Sequence, residues 1–129
     1  MTVNISKIMD RAKQASLLSD HDRHKLGACA FDKKGRVIST GWNRLRKTHP
    51  MTAFIGRNRL QTLHAEINAI VRAKNKDALR GASIAVYRGY ANGCMANSEP
   101  CETCKTILKA FGVIQVFYTN EGAISVCQL

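Results

Sequence analysis

The first apolar pattern in the chain has a helical period. Apolar side chains recur every three or four residues between residues 3 and 18, separated by basic and amide side chains: Val3, Ile5, Ile8, Met9, Ala12 and Ala15. This spacing predicts an amphipathic helix over residues 3–18 with a polar start at Thr2 or Asn4. The polar segment 19–24 predicts a loop. Its two histidines, His21 and His24, are either solvated or ligands of a metal ion.

Four further elements are short apolar runs bounded by turn residues. Runs at 26–31 and 36–42 flank Asp32-Lys33-Lys34-Gly35, which predicts a β-hairpin. The first of these strands carries the small residues Gly27, Ala28 and Ala30, which allow a helix or a ligand to approach closely. A buried third strand is predicted at 82–87 and a fourth at 113–118.

The end of the chain predicts a second hairpin. Thr119-Asn120-Glu121-Gly122 has turn composition, and residues 123–127 form a fifth apolar run. Too few residues join the fourth and fifth runs for a helical crossover. We therefore expect these two strands to pair in antiparallel fashion.

Two more helices are predicted, each after a loop. Residues 63–74 have helical apolar spacing and follow the aperiodic segment 43–62, while residues 88–99 precede a helix that Gly112 ends. Pro100 suits the first position of that helix, with Ser98 or Glu99 as its cap.

The candidate chemistry lies at the starts of these two helices. His64 and Glu66 begin the first, and Cys101 and Cys104 begin the second. An imidazole and two thiolates are zinc ligands, and three protein ligands leave the fourth position of a catalytic zinc to water. Glu66 then remains as a base for that water. The alternative is a closed structural site with Cys94 or Cys127 as a fourth ligand.

Length and composition limit the class of protein. The 129 residues suit a single domain, 1–129, that buries one core. The start Met1-Thr2-Val3-Asn4 has no basic and apolar leader, and no apolar run has the length of a membrane span, so we expect an intracellular, cytoplasmic protein without membrane contact. Its five cysteines show no disulfide spacing.

A formal charge of +11 predicts an anionic partner. A nucleic acid, a nucleotide phosphate or an acidic protein would satisfy it, and solubility is the simpler explanation. The segment 43–62 contains five arginines and lysines and no acidic residue, beginning with Arg44. We expect it to form part of a substrate wall whose cations face a phosphate, although a solvated basic loop is the alternative.

The pair His64-Ala65-Glu66 and Pro100-Cys101-Glu102-Thr103-Cys104, with Gly41-Trp42-Asn43 upstream, resembles the zinc-dependent cytidine and deoxycytidylate deaminase superfamily. The resemblance implies a fold of the α/β class, with three layers (α/β/α) and a five-stranded mixed sheet. It implies Zn²⁺ held by His64, Cys101 and Cys104, with Glu66 as the catalytic acid and base. Asn43 would bind the sugar or the ring. We also assign Ala65, Arg44 and Ser98 to substrate binding.

The superfamily has two branches, and this chain shares sequence features with each of them. The closing hairpin resembles the free-nucleoside cytidine deaminases, whereas His64-Ala65-Glu66 and Ser98-Glu99-Pro100-Cys101 resemble the deoxycytidylate, tRNA-adenosine and polynucleotide deaminases. The expected function is deamination of cytosine in cytidine, deoxycytidine or dCMP. The alternatives are a cytosine deaminase acting on single-stranded DNA or RNA and a noncatalytic zinc module that binds nucleic acid.

Two further expectations concern neighbours of the site. Members of the superfamily usually assemble into homo-oligomers, so a homo-oligomer is expected here. Four aromatic residues are candidates to stack on the base, although core packing is the more common role for each of them: Phe31, Trp42, Phe54 and Tyr90.

Overall fold

A five-stranded mixed sheet lies at the centre of the computed structural model, which describes residues 3–20, 25–44, 64–89 and 95–129. The elements are, in chain order, α1 (Ile5–Ser16), β1 (Leu26–Phe31), β2 (Val37–Trp42), α2 (Ala65–Arg72), a 3₁₀ helix (Lys76–Leu79), β3 (Ser83–Arg88), α3 (Glu102–Ala110), β4 (Gln115–Asn120) and β5 (Ala123–Gln128). The helices and strands predicted from apolar spacing are all present. The 3₁₀ helix, which Asn75 caps, was not predicted.

The strand order is β2-β1-β3-β4-β5. β1 pairs in antiparallel fashion with β2 and β3, β3 and β4 are parallel, and β4 and β5 are antiparallel. Both predicted hairpins are therefore confirmed. The parallel step falls where α3 supplies the connection between β3 and β4, as a parallel pair requires.

The predicted bounds of β4 were two residues early. Val113 donates its N–H to the carbonyl of Leu108 and closes α3, and Ile114 donates to Ala82, so both residues belong to the connection before the strand. The strand then runs on through Thr119 and Asn120. The turn is reduced to Glu121 and Gly122, both with positive φ, which is the backbone that a two-residue hairpin turn requires.

Alternate side chains of the strands face two helical layers. Ala28, Ala30, Ile84, Val86 and Val116 pack with α2 and α3 on one face. On the other face α1 packs against Cys29, Phe31, Ala85 and Tyr87. This period of two confirms the three-layer α/β/α arrangement.

Two glycines allow the helices to approach the sheet. A Cβ at Gly27 would lie 1.9 Å from the carbonyl oxygen of Ala12 in α1, and a Cβ at Gly41 would lie 2.3 Å from the backbone nitrogen of Ala69 in α2. The small side of β1 thus serves close helix packing. None of the helices in the described ranges has the length and apolar character needed to span a bilayer.

Candidate metal centre

His64 occupies the N-cap of α2. Its backbone is extended, with φ −69° and ψ 149°, and its side chain makes no capping hydrogen bond. Glu66 follows in the first turn. On a regular helix, residues two apart point in different directions. Because His64 lies just outside the helical backbone, its ring can turn towards the same site as Glu66.

Cys101 occupies the N-cap of α3. Its Sγ accepts a hydrogen bond from the backbone N–H of Cys104 at 3.5 Å, as a serine or aspartate oxygen would at this position. The prediction that Pro100 is the first helical residue, with Ser98 or Glu99 as cap, was wrong, because the thiol itself caps the helix one residue later. Asn97 accepts the N–H of Glu99 through its Oδ1 and shapes the approach to the helix.

The ends of α2 and α3 bring His64, Cys101 and Cys104 together. Their ligand atoms all lie within 4.8 Å of one another, and His64 Nδ1 is 3.2 Å from Cys104 Sγ. A tetrahedral zinc with bonds of about 2.0–2.3 Å separates its ligand atoms by roughly 3.3–3.8 Å, so the set fits zinc. In the described part of the chain this is the one cluster of its kind, and Cys127 does not join it. Cys94, the other suggested fourth ligand, lies outside the described residues, as do His21 and His24.

The two thiols carry unequal proton affinities. The Cys104 thiol, the His64 ring and the Cys104 backbone N–H lower the pKa of Cys101 to about 3, although burial opposes them. The hydrogen bond to Cys101 and its own burial raise the pKa of Cys104. Without metal, the thiolate is therefore favoured at Cys101 and the protonated thiol at Cys104.

Zinc binding at about pH 8, where an ordinary imidazole is neutral, is consequently expected to release about one proton per chain, because Cys104 is the thiol that must still be deprotonated. Titration of the metal-free protein with zinc in weakly buffered indicator dye measures this release. Cys101 and Cys104 as two ordinary thiols would release about two protons, and that result would contradict the thiolate at Cys101.

Glu66 is buried beside the three ligands, with 4% of its surface exposed. Burial raises the pKa of Glu66, while the neighbouring His64 ring and the hydrogen bond to Cys104 partly offset that effect. A carboxyl group with a raised pKa next to a metal site can both accept and return a proton near neutral pH. A structural zinc site has no need of such a group.

A family model described as the cytidine and deoxycytidylate deaminase zinc-binding region matches residues 2–120. The chain belongs to this family. It is also 30% identical to a deoxycytidylate deaminase of Mycobacterium phage D29, over 86% of this chain and 90% of that one. Zinc is accordingly its cofactor.

Solved structures of deaminases have the same fold. The dCMP deaminase of cyanophage S-TIM5, solved in apo form, has a TM-score of 0.66 and 27% identity, covering 94% of this chain and 86% of its own. The same enzyme in complex with dCMP and dUMP has a TM-score of 0.64 and 26% identity over 92% and 82% of the two chains. A cytidine deaminase from Burkholderia pseudomallei has a TM-score of 0.68 at 19% identity over 98% and 93%, which shows the fold alone.

Of the residues assigned to substrate binding, Ala65 lies within this centre in the chain and Asn43 lies just after β2. Asn43 is buried, and its Oδ1 accepts the N–H of Leu26 at 2.9 Å. Ala65 is the buried first residue of α2, between His64 and Glu66, and Arg44 is half-buried. The rest of the basic segment, residues 45–62, lies outside the described residues.

Ser98 takes part in a buried hydrogen-bond network that its sequence context does not predict. Its hydroxyl donates to the carbonyl of Val86 at 2.7 Å and accepts the N–H of Thr119 at 2.8 Å. Thr119, 0% exposed, donates its hydroxyl to the carbonyl of Ala96. The two hydroxyls tie β3 and β4 to the segment that leads to Cys101. A threonine near a predicted turn gives no sequence signal for this role.

Replacing Thr119 with valine is expected to destabilise the protein by about 1–3 kcal/mol, because the Ala96 carbonyl loses its hydroxyl donor and the Arg88 N–H loses its hydroxyl acceptor while the side chain keeps nearly the same shape. Urea unfolding of the metal-free protein measures the loss. Thr119→Ser keeps the hydroxyl and removes only a methyl group, so it should retain more stability than Thr119→Val. The reverse order would contradict a hydrogen-bonding role.

The aromatic candidates are separated by the fold. Phe31 is buried on the α1 face, with its ring 6.0 Å from that of Phe117, so it is a core residue. Trp42 is half-buried beneath the guanidinium of Arg72, whose Cζ lies 4.5 Å from the ring centroid. Phe54 and Tyr90 lie outside the described residues.

Proposed function

We propose that this protein catalyses the hydrolytic deamination of cytosine to uracil in a free pyrimidine nucleotide or nucleoside, with dCMP as the leading substrate. The observation that carries this proposal is the buried Glu66 beside a set of three ligands, His64, Cys101 and Cys104, in a chain of the deaminase family. Three ligands leave a zinc position open, and the carboxylate supplies the acid and base that hydrolysis requires.

The choice of dCMP rests on sequence more than on fold. The TM-scores to a dCMP deaminase and to a cytidine deaminase are nearly equal, at 0.66 and 0.68. The identities differ: 30% and 27% with the two phage dCMP deaminases against 19% with the cytidine deaminase. A formal charge of +11 also favours a ligand that carries phosphate. Free nucleosides are the second choice.

In the proposed mechanism, His64, Cys101 and Cys104 would hold Zn²⁺, which would supply a Lewis acid that lowers the pKa of water towards ~7. Glu66 takes a proton from the attacking water and donates one to N3 of the cytosine ring. The water oxygen bonds to C4, and Glu66 then takes the second proton from that oxygen and gives it to the amino group. The C4–N bond breaks, and the amino group leaves as ammonia. Each cycle converts one cytosine and one water into one uracil and one ammonia, and Glu66 ends as it began.

The burial of Glu66 supports its part in this cycle. When Glu66 is protonated, its burial keeps the proton from bulk water so that it can pass to the ring. The raised pKa brings Glu66 closer to the pH at which the reaction runs. The N–H groups at the starts of α2 and α3 stabilise negative charge at Cys101 and at Glu66, and so they limit the rise in the pKa of Glu66 that burial causes.

Ammonia release by the zinc-loaded protein from dCMP, CMP, deoxycytidine and cytidine tests the proposal. We expect the highest kcat/KM with dCMP and a lower value with deoxycytidine, because the nucleoside lacks the phosphate. Equal values for dCMP and deoxycytidine would replace the nucleotide by the nucleoside as substrate. Turnover of a cytosine-bearing oligonucleotide but of neither monomer would replace both by a polynucleotide substrate.

We also propose that the protein is a homo-oligomer. β5 is an outer strand of the sheet, and Ile124 and Val126 on it are exposed on the face that carries Phe117, with Val126 51% exposed. A second copy would bury this apolar strip. Light scattering should give more than the mass of one chain, and Val126→Lys should lower it.

A further inference from the structure

Positive charge is concentrated in one part of the chain. Eighteen of the twenty Lys and Arg residues precede residue 95, together with six of the nine acidic residues. Residues 95–129, which form α3, β4 and β5, carry two basic and three acidic side chains. The outer strand opposite β5 is β2, and described basic side chains line two hollows beside it: Arg11, Arg72 and Lys74 in one, and Lys33, Lys34, Arg36 and Arg80 in the other.

A concave surface follows the outer side of β2. It has a volume of about 480 Å³ and is lined by residues 37–40 of β2, Arg11 of α1, Arg72 at the end of α2, and Lys74 and Asn75 after it. We call it the edge trough. No acidic side chain is among the described residues that line it. Two acidic residues lie next to lining residues in the sequence, since Asp10 precedes Arg11 and Asp77 precedes Ala78.

One backbone carbonyl of β2, that of Thr40, is already occupied within the edge trough. Arg72 donates its Nε–H to the carbonyl of Thr40 at 3.0 Å and lies over the ring of Trp42. An outer strand whose carbonyl is already bonded offers a poor template for an incoming peptide backbone. The cations of the trough remain available to a ligand that is recognised by negative charge.

A second basic hollow is lined by residues that are neighbours in the sequence of residues lining the first. It has a volume of about 330 Å³, lies at the β1–β2 turn, and is lined by Lys33, Lys34, Arg36 and Arg80 together with Asp32. Asp32 pairs with Arg36 at 3.0 Å, so one of these four cations is partly neutralised. In the sequence, Arg36 of this hollow directly precedes Val37 of the edge trough. Arg80 of this hollow lies two residues after Ala78, which also lines the edge trough.

We propose that the edge trough and this hollow bind the phosphate backbone of a single-stranded nucleic acid, independently of its sequence and of the metal centre. Successive cations in a groove are the usual device for following a single strand. A duplex has a wider, convex surface and would meet only the rims. An acidic peptide lacks the regular charge spacing of phosphates, and one that added to β2 as a strand would have to displace Arg72 from the Thr40 carbonyl. This proposal does not rest on the proposed deamination.

Fluorescence anisotropy with a labelled oligodeoxyadenylate tests the proposal, because a probe without cytosine is not a substrate. The zinc-loaded full chain should bind it, with log K falling as log salt rises and a slope of about −0.7 for each phosphate contacted. Lys74→Glu should make this slope shallower by about 0.7 or more, because one phosphate contact is lost. If the variant and the wild type bind equally well at about 1 M salt, the variant should bind about eightfold more weakly at about 50 mM salt.

Lys109→Glu is the matched control, since Lys109 is an exposed lysine of α3 and the change in net charge is the same. It should weaken binding much less than Lys74→Glu, and Lys74→Glu should deaminate dCMP at the wild-type rate. Equal weakening by the two variants would overturn the proposed location. Absence of binding, tighter binding of duplex than of single strand, or equal competition by polyglutamate would overturn the proposed ligand.

Discussion

Glu66→Gln is expected to lower kcat/KM for deamination by about 10²–10⁴-fold, which is the usual contribution of a general acid and base. Glutamine has nearly the same shape as glutamate but cannot take a proton from water or return one. Because the three ligands are unchanged, the variant should still bind one zinc per chain. Initial rates with dCMP and zinc analysis of the same preparation measure both properties together.

Glu102→Gln provides the matched control. Glu102 lies in the first turn of α3, close to the metal ligands in the chain, but its side chain is 92% exposed. Its loss should change the rate little. A noncatalytic zinc module predicts instead that Glu66→Gln has no functional effect. Wild-type turnover by Glu66→Gln with bound zinc would remove Glu66 from the mechanism.

Gly41→Ala is expected to destabilise the protein by about 3 kcal/mol, at the upper end of the cost of overpacking. The new Cβ would lie 2.3 Å from the nitrogen of Ala69 and 2.6 Å from the oxygen of Ala65, and both are backbone atoms of α2. Only a shift of the helix can relieve these contacts. Since α2 carries His64 and Glu66, zinc affinity and activity should fall with stability. Urea unfolding and zinc titration measure the two effects.

Gly122→Ala distinguishes this contact from a general intolerance of alanine. A Cβ at Gly122 would meet no described atom within 4 Å, but the φ of this residue is +88°, so alanine there brings backbone strain of about 1 kcal/mol and no clash. It should leave zinc affinity unchanged. An equal loss of stability at both positions, with zinc affinity intact in Gly41→Ala, would contradict the close packing of α2 on β2.

The elements set by side-chain periodicity could be predicted from the sequence. The apolar face of α1, the turn at Asp32–Gly35 and the closing hairpin each depend on residues near one another in the chain. The ligand set could also be predicted, because few combinations of residue types other than a histidine and a spaced cysteine pair suit zinc.

Features that depend on distant parts of the chain could not be predicted. Local preference placed Pro100 in the first turn of α3, but the Sγ of Cys101 caps the helix beside a partner, His64, that lies far away in the chain. The apolar pair Val113 and Ile114 looked like the start of β4, yet their backbone groups bond to α3 and Ala82. The pairing of Ser98 with Thr119 exists only after the sheet has formed.

The most direct test of the central claim is mass analysis of the products formed from dCMP in ¹⁸O-labelled water by the zinc-loaded protein. Hydrolytic deamination predicts dUMP with one solvent oxygen at C4 and one ammonia for each dUMP. If dCMP, CMP, deoxycytidine and cytidine all stay unchanged while the protein holds one zinc per chain, the proposed function is wrong. If ammonia forms but the product carries no solvent oxygen, the hydrolytic mechanism is wrong.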